Sequence, residues 1–288
     1  MKRLFKRFCA YILSIIRQIY LKEGKSVRLR RFIKAVRKKS DEIGLENSNF
    51  MVPSGSTIFT YQSSTTCRDM VKIMQLAYEN EIMQKVWESK EYIIKINGEK
   101  SRNEKIETTV QNSHFEEKYK IFGGKTGTLA LVGNELLICN LALITEINNK
   151  LVIAVIMDID SPEKRFPVME QLLDFVKGDS EELNITNAKS YIACEMGDNG
   201  EINIICEKNA DKKYHSASLA KVITTLTALD YMKDEKENIK INKRDLLHGS
   251  GAILYENDEI TIEDAIKLMM LCSSNQAAQA IARVVAKK

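Results

Sequence analysis

The spacing of hydrophobic residues predicts a chain of alternating helices and strands. Over residues 30–43, Phe32, Ile33 and Val36 recur at helical spacing, and Gly44 is placed to end that helix. The same period predicts further helices, at about residues 67–78, 164–176, 218–231, 261–271 and 275–285. The shorter apolar runs between them are left as candidate strands.

These runs, bounded by turn residues, predict strands at residues 91–97, 129–143, 149–158, 191–196 and 202–208. Asn97–Gly98 and Asn148–Asn149 are turn dipeptides, and the sequence GDNGE predicts a hairpin between the last two strands. Residues 178–190 are polar and have no hydrophobic period. We therefore interpret them as a linker between a first half, residues 25–177, and a second half, residues 191–288.

The first 24 residues combine basic residues with an apolar stripe. MKRLFKR resembles the start of an export signal, but Arg17 ends the apolar run early and no small-residue cleavage site follows. The apolar residues share one helical face and most basic residues lie off it, which is typical of a helix in a membrane interface. A helix packed on the domain fits equally well, and the run is too short to span a bilayer. We predict a basic amphipathic helix over residues 1–24 in either role.

Composition indicates an ordinary globular protein and argues against several classes of function. Of 288 residues, 44% are hydrophobic and 28% are charged, and the net charge is only +4. The basic run at residues 28–39 contains no recognised binding motif, so we interpret it as a solvated helix face. The six cysteines and three histidines are dispersed without metal-type spacing. The sequence therefore predicts no metal, no cofactor and no nucleic-acid partner.

Three short motifs contain residues that could carry chemistry: Ser218–Lys221 (SxxK), Ser273–Asn275 (SxN) and Lys125–Gly127 (KTG). The first two are weak signals, because a second SxxK occurs at Ser161–Lys164 and a second SxN at Ser101–Asn103. KTG occurs once, within GGKTGT. The motifs gain weight only if one physical scheme uses all three.

In such a scheme Ser218 would be the nucleophile. A serine hydroxyl needs a base, and Lys221 can be that base only if burial and a neighbouring cation lower its pKa. Lys125 would supply the cation, Ser273 would relay a proton, and Asn275 would hold Lys221 and the substrate amide. No histidine is needed. Simpler interpretations stay open, in which Lys221 is a solvated helix residue and Ser273 caps the last helix.

The residues around KTG would bind the substrate. Thr126 and Lys125 would bind a carboxylate, and Gly127 belongs to the same segment. Backbone N–H groups of Thr128 and Ser218 would stabilise an oxyanion. The simpler alternative is that KTG forms a surface turn.

Longer segments resemble the D-alanyl-D-alanine carboxypeptidases, which are low-molecular-mass penicillin-binding proteins that use this set of motifs. KSYIACEMGDNGEINIICEKNADKKYHSASLAKVITTLTALDYM resembles the opening hairpin and nucleophile helix of that family, and GSGAILYENDEITIEDAIKLMMLCSSNQAAQAIA resembles its approach to SxN. FIKAVRKKSDEIGLENSNFMVPSG, STTCRDMVKIM, ESKEYII and GGKTGT resemble later portions. The resemblance implies a β-lactamase/transpeptidase-like α+β fold. This fold is an α/β/α sandwich with a five-stranded antiparallel sheet flanked by helices, plus a mostly helical subdomain.

The order of the motifs departs from the family. The family places SxxK first and KTG last, whereas here KTG precedes both other motifs. Residues 25–177 resemble the C-terminal half of the family and residues 191–288 its N-terminal half. The chain therefore resembles a circular permutation that folds as one domain. The alternatives are a junction of two tandem copies, a damaged gene, or two chains that exchange halves.

The resemblance implies a serine D-Ala-D-Ala carboxypeptidase that acts on peptidoglycan stem peptides through an acyl-enzyme at Ser218 and is inhibited by β-lactams. Such an enzyme works in the bacterial cell envelope, on the outer face of the cytoplasmic membrane, where residues 1–24 could contact the membrane surface. One alternative is an inactive or half-domain relative that binds peptidoglycan or a partner protein. A β-lactamase is another, although no clear glutamate-bearing loop of the class A kind is present.

Overall fold

A computed structural model describes residues 27–56, 62–111, 113–131, 136–232, 234 and 236–287. The helix predicted over residues 1–24 lies outside these ranges. Within them, no helix is both long and apolar enough to cross a membrane.

The helices, in chain order, are α1 (Val27–Ile43), α2 (Cys67–Tyr78), α3 (Glu81–Trp87), α4 (Ser113–Lys118), α5 (Arg165–Lys177), α6 (Ala220–Tyr231), α7 (Ile262–Met270) and α8 (Asn275–Val285). Four of them begin at a side chain that accepts a backbone N–H of the first turn. These capping residues are Thr66, Asn80, Thr261 and Ser274. Because such caps satisfy donors that have no partner inside the helix, they fix where α2, α3, α7 and α8 begin.

The strands are β1 (Ser64–Thr65), β2 (Glu91–Ile96), β3 (Arg102–Glu107), β4 (Ile121–Leu131), β5 (Leu136–Ile147), β6 (Lys150–Ile159), β7 (Ala188–Met196), β8 (Ile202–Lys208), β9 (Tyr214–His215), β10 (Asn238–Lys240) and β11 (Glu259–Thr261). Strands β4 to β8 form a five-stranded antiparallel sheet in that order. β6 lies in the first predicted half and most of β7 in the second, and they pair from Leu151 opposite Met196 to Ile159 opposite Ala188. The central sheet therefore contains strands from both halves.

Alternate side chains of the sheet enter two separate cores. On one face, Ile144, Val155 and Ile192 pack with helices α1, α2, α3, α6, α7 and α8. On the other face, Leu143 and Ile156 pack with α4 and α5. Helices thus cover both faces of an antiparallel sheet, and the predicted α+β fold, an α/β/α sandwich, is confirmed.

The strand that carries KTG differs from the prediction. Residues 129–143 are predicted as one strand, but β4 ends at Leu131 and β5 begins at Leu136. Because β4 already begins at Ile121, KTG lies inside it. The segment GGKTG hides this strand, because glycine is disfavoured in strands and leaves no apolar pattern to read. Lys125 is fully buried, so the interpretation of KTG as a surface turn is wrong.

Several smaller features also differ. β7 begins at Ala188, inside the predicted linker at residues 178–190, and Ala188 is buried opposite Ile159. The predicted nucleophile helix starts with a 3₁₀ turn, Ala217–Leu219, before α6. α3 and α4 are not predicted, because seven and six residues give too short a helical pattern, and β3 is not predicted because Ile106 is its only buried residue.

Candidate active site

Ser218 lies in the 3₁₀ turn that leads into α6, between strand β9 and the helix. The preceding residue, Ala217, has a φ of +45°, a left-handed conformation that is strained for alanine. Ser218 is 9% exposed, and its Oγ lies 2.8 Å from Nζ of Lys221. The structure thus brings the serine and lysine of the SxxK motif into contact, with the serine at the surface of the cleft and the lysine behind it.

Lys221 is fully buried, so the interpretation of this residue as a solvated helix position is wrong. Besides Ser218, its Nζ contacts Asn275 Oδ1 at 2.9 Å and the carbonyl oxygen of Ser54 at 3.0 Å. Burial, and then the charge of nearby Lys125, lower the pKa of Lys221 well below its ordinary value of 10.5. A lysine with a lowered pKa and a serine hydroxyl within reach has the properties of a general base.

Lys125 extends from β4 beneath the same cleft. Its Nζ donates to Ser273 Oγ at 3.0 Å and to the carbonyl oxygen of Thr126 at 2.9 Å. Burial is the main cause that lowers the pKa of Lys125, to about 7, and the positive charge of Arg165 acts in the same direction. The motif from the first half of the chain therefore meets the SxN motif of the second half.

Ser273 lies in the turn between α7 and α8, with a φ of +63°. The interpretation of Ser273 as the cap of the last helix is wrong, because Ser274 caps α8 by accepting from the N–H of Ala277. The Ser273 hydroxyl is consequently available to Lys125. Asn275 is the first residue of α8, and its amide is held by Lys221 and by the carbonyl oxygen of His248, 3.4 Å away.

A cleft of about 650 Å³ opens over these groups, and Ser218, Ser273, Thr126, Thr128 and Arg165 line it. Thr126 Oγ1 donates to Thr109 Oγ1 at 2.6 Å, and Thr128 Oγ1 accepts from Arg165 Nη2 at 2.7 Å. The wall beside Ser218 is therefore polar and rich in hydroxyl groups. Gly127, between the two threonines, faces the turn Ala217–Leu219, which we call the nucleophile turn. A Cβ added to Gly127 would lie 3.2 Å from the carbonyl oxygen of Ser216.

Arg165 is the site residue for which sequence reasoning assigned no role. It is the first residue of α5, is 8% exposed, and has no hydrogen-bond partner for its Nε. No carboxylate of the described residues forms an ion pair with it, and burial lowers its pKa. The sequence signal for a role of Arg165 is its position at the start of a predicted helix, because a cation is unfavourable at a helix N-terminus unless something else requires it there. A buried, unneutralised guanidinium in a cleft is suited to a carboxylate ligand.

The polar residues of the chance motif copies do not line this cleft, although Pro162, between Ser161 and Lys164, does. The side chain of Lys164 in the second SxxK is 44% exposed and pairs with Asp160. Ser101 in the second SxN is exposed and donates to the carbonyl oxygen of Gly98. Across the described part of the chain, no group of three or more His, Cys, Asp or Glu side chains could hold a metal ion.

A buried serine–lysine pair that opens into a polar cleft, on a helix-covered antiparallel sheet, defines a serine peptidase of the acyl-transfer class. A family model described as D-alanyl-D-alanine carboxypeptidase matches two segments, residues 23–161 and 177–287. Together they cover most of the chain, so the chain belongs to the D-alanyl-D-alanine carboxypeptidase family. Searches of curated proteins and of solved structures found no match.

Proposed function

We propose that this protein is a serine D-Ala-D-Ala carboxypeptidase that acts on peptidoglycan stem peptides through an acyl-enzyme at Ser218. The observation that carries the proposal is the contact of 2.8 Å between Ser218 Oγ and the amine of Lys221, whose pKa is lowered. The family match supports the same reaction.

The partners of Lys221 support its role as the base. Ser54 O and Asn275 Oδ1 can only accept hydrogen bonds, so they use two N–H donors of the neutral amine. The remaining lone pair then points to the Ser218 hydroxyl. Lys221 takes the hydroxyl proton while Oγ attacks the carbonyl carbon of the penultimate D-Ala. Backbone N–H groups of Ser218 and Thr128 would hold the resulting oxyanion.

Collapse of the tetrahedral intermediate breaks the peptide bond and needs a proton on the leaving amine. Ser273, which lines the cleft and is hydrogen-bonded to Lys125, would relay to that amine the proton that Lys221 took from Ser218, so that Lys221 becomes neutral again. The terminal D-Ala leaves, and the ester on Ser218 remains. Water, deprotonated by Lys221, then attacks the ester and restores the serine. No residue of this scheme requires a cofactor.

The polar wall supports recognition of the terminal carboxylate. Arg165 supplies a buried positive charge that pairs with no carboxylate among the described residues, and Thr126 and Thr128 supply hydroxyl groups beside it. A β-lactam also carries a carboxylate next to its reactive carbonyl, so we expect β-lactams to acylate Ser218.

The substrate places the proposed activity in the bacterial cell envelope, on the outer face of the cytoplasmic membrane. The first turns of α1 carry the exposed cations Arg30, Arg31, Lys34 and Arg37. They follow the basic segment at residues 1–24, and this positive charge supports an approach to an anionic membrane surface.

A labelled penicillin tests the proposal. We expect wild-type protein to be labelled, Ser218→Ala not to be labelled, and Ser161→Ala, which changes the serine of the chance motif, to label like wild type. Release of D-Ala from a peptide ending in D-Ala-D-Ala should depend on the same serine. Absence of label on the wild type would favour the inactive relative, and rapid turnover of the penicillin without peptide hydrolysis would favour a β-lactamase.

A further inference from the structure

Asn140 is a polar residue with no exposure at all, in the middle of strand β5. It lies opposite Gly127 of the KTG motif in the strand register, and it does not line the cleft. Its side chain makes three hydrogen bonds, and all three go to backbone groups. A buried amide that serves only backbone positions is expected to hold segments in place.

Two of these bonds hold the segment that enters the nucleophile turn. Asn140 Nδ2 donates to the carbonyl oxygen of His215 at 2.9 Å and to that of Ser216 at 3.1 Å. The next residue, Ala217, has its left-handed φ of +45°, and Ser218 follows. On the other side, the N–H of Ser216 donates to the carbonyl oxygen of Ser63 at 3.0 Å. The strained turn is thus held just before the serine.

The third bond fixes the orientation of the amide. Asn140 Oδ1 accepts from the backbone N–H of Asp158 at 2.9 Å, where the register between β5 and β6 shifts. Asp158 has a φ of +59° and its carboxylate pairs with Lys189. Because one end of the side chain must accept and the other must donate twice, an amide satisfies all three positions. Neither an aliphatic nor an ionised residue of this size does.

We propose that Asn140 is a positioning residue for acylation, which holds the turn Ala217–Leu219 so that Ser218 Oγ faces both Lys221 and the substrate carbonyl. The inference rests on the proposed acyl-enzyme. Without the two bonds, the carbonyl groups of His215 and Ser216 lose their buried donors, and the left-handed Ala217 can relax. Such a relaxation moves Oγ relative to Lys221 and leaves Thr126 and Thr128 on β4, and Arg165 on α5, in place.

The first test replaces the amide with an aliphatic group of similar size. We expect Asn140→Leu to lower the rate constant of acylation by labelled penicillin, at saturating label, by about tenfold to a hundredfold. The apparent dissociation constant for the label should stay within about twofold, because Asn140 does not line the cleft. A variant that merely folded less well would lose labelled fraction and keep its rate constant.

Thr145→Val is the matched control. Thr145 is fully buried on the same strand, and its Oγ1 donates to the carbonyl oxygen of Lys120 at 2.7 Å. It lies five residues from Asn140, roughly 17 Å along the strand. Thr145→Val removes a buried hydrogen bond without touching the nucleophile turn, so its acylation rate constant should equal that of wild type.

Asn140→Asp is a second variant, which keeps the shape of the side chain and makes its hydrogen bonding depend on pH. Its protonated carboxyl group can donate to one carbonyl and accept from Asp158 N–H, whereas the ionised group has no donor for the carbonyls. Burial raises the pKa of such a group. The ratio of variant to wild-type acylation rates should therefore fall as the pH rises. Nearby titratable groups, His215, Asp158 and Lys189, are present in both proteins and largely cancel in this ratio.

The outcomes separate the two proposals. If wild type is labelled and either Asn140→Leu acylates at the wild-type rate or Thr145→Val is slowed equally, the positioning role is refuted while the proposed function stands. If Asn140→Leu does not fold, the pH dependence of the Asn140→Asp ratio decides, and a constant ratio close to one refutes the role. An unlabelled wild type would overturn the proposed function and this inference together.

Discussion

Replacing Lys125 with methionine should make the protein more stable and remove its acylation activity. Lys125 has no exposed surface, and no described carboxylate forms an ion pair with its amine. Its hydrogen bonds go to Ser273 Oγ and the carbonyl oxygen of Thr126. Methionine has a similar length and polarizability and carries no charge. Lys125→Met therefore tests whether the core carries this amine for function at a cost in stability.

The magnitude follows from the lowered pKa of Lys125. In the unfolded chain the amine is charged at pH 7, since its ordinary pKa is 10.5, whereas burial lowers the folded-state pKa to about 7. One pH unit of difference corresponds to about 1.4 kcal/mol, so burying this amine at pH 7 costs on the order of 4 kcal/mol. The variant also loses the two hydrogen bonds of Lys125, and each loss offsets about 1 kcal/mol of this gain. We expect Lys125→Met to raise the free energy of unfolding by about 2 kcal/mol at pH 7.

The pH dependence of the unfolding free energy tests independently whether Lys125 destabilises the folded protein. Between the folded-state pKa of about 7 and the ordinary value of 10.5, unfolded wild type binds a proton that the folded protein does not. Wild-type stability therefore rises with pH across this window, and the variant lacks that contribution. Urea unfolding should show the stability difference narrowing by about 3 kcal/mol, or reversing, between pH 7 and pH 9.5.

Lys267 provides a matched control, because it is also nearly buried but is paired. Burial is the largest single effect and lowers the pKa of Lys267, but the ion pair with Glu263, 2.6 Å away, and the contact with Tyr92 together outweigh burial, so the pKa is raised. Lys267→Met should therefore destabilise the protein. The reasoning is refuted if Lys125→Met is no more stable than wild type at pH 7, or if the difference does not change with pH.

Two further substitutions test the cleft and the nucleophile turn. Arg165→Gln should lower kcat/KM about tenfold to a hundredfold for peptides ending in a free carboxylate, while peptides ending in an amide should be hydrolysed as by wild type; equal losses for both would contradict the assigned role. Gly55→Ala should abolish labelling and destabilise the protein by more than about 2 kcal/mol, because its φ is +71° and a Cβ would lie 1.8 Å from the carbonyl oxygen of Ala217. Gly178→Ala is the control, because its φ is +88° and a Cβ there would meet no atom within 4 Å. It should lower the free energy of unfolding by only about 1 kcal/mol, measured by thermal unfolding, and keep full labelling. A similar loss of stability in both variants would refute the steric argument.

Long periodic segments allowed most of the fold to be predicted from the sequence. The bounds of α2 and the hairpin of β7 and β8 were recovered because each has a clear hydrophobic period and turn or capping residues at its ends. The strand β4 was misassigned since its glycines remove the alternation on which such predictions depend. The prediction missed β3 for a related reason, because Ile106 is its only buried residue and the rest of the strand is polar or charged. Its position depends on pairing with β2.

The candidate site was predictable where side-chain chemistry follows a motif and hidden where it depends on backbone atoms. The carbonyl oxygen of Ser54 contacts Lys221, yet a backbone acceptor leaves no signature in the sequence. Asn140 did leave one, as a single polar residue within the apolar run LLICNLALI. Such an interruption in a central strand requires buried hydrogen-bond partners. These are backbone groups of His215, Ser216 and Asp158, and no sequence pattern places them beside β5.

The contacts at the site explain how KTG can precede Ser218 in the chain and still lie beside it, as the proposed chemistry requires. Ser218 and Lys221 lie on adjoining turns of one segment, but the charge that adds to burial in lowering the pKa of Lys221 comes from Lys125 in the other half. The contacts of Lys221 with Ser54 and of Lys125 with Ser273 also cross between the halves. An isolated second half would leave its lysine without these neighbours and with a higher pKa. The proposed base therefore depends on both halves sharing one sheet, and the pairing of β6 with β7 joins the two halves within a single chain.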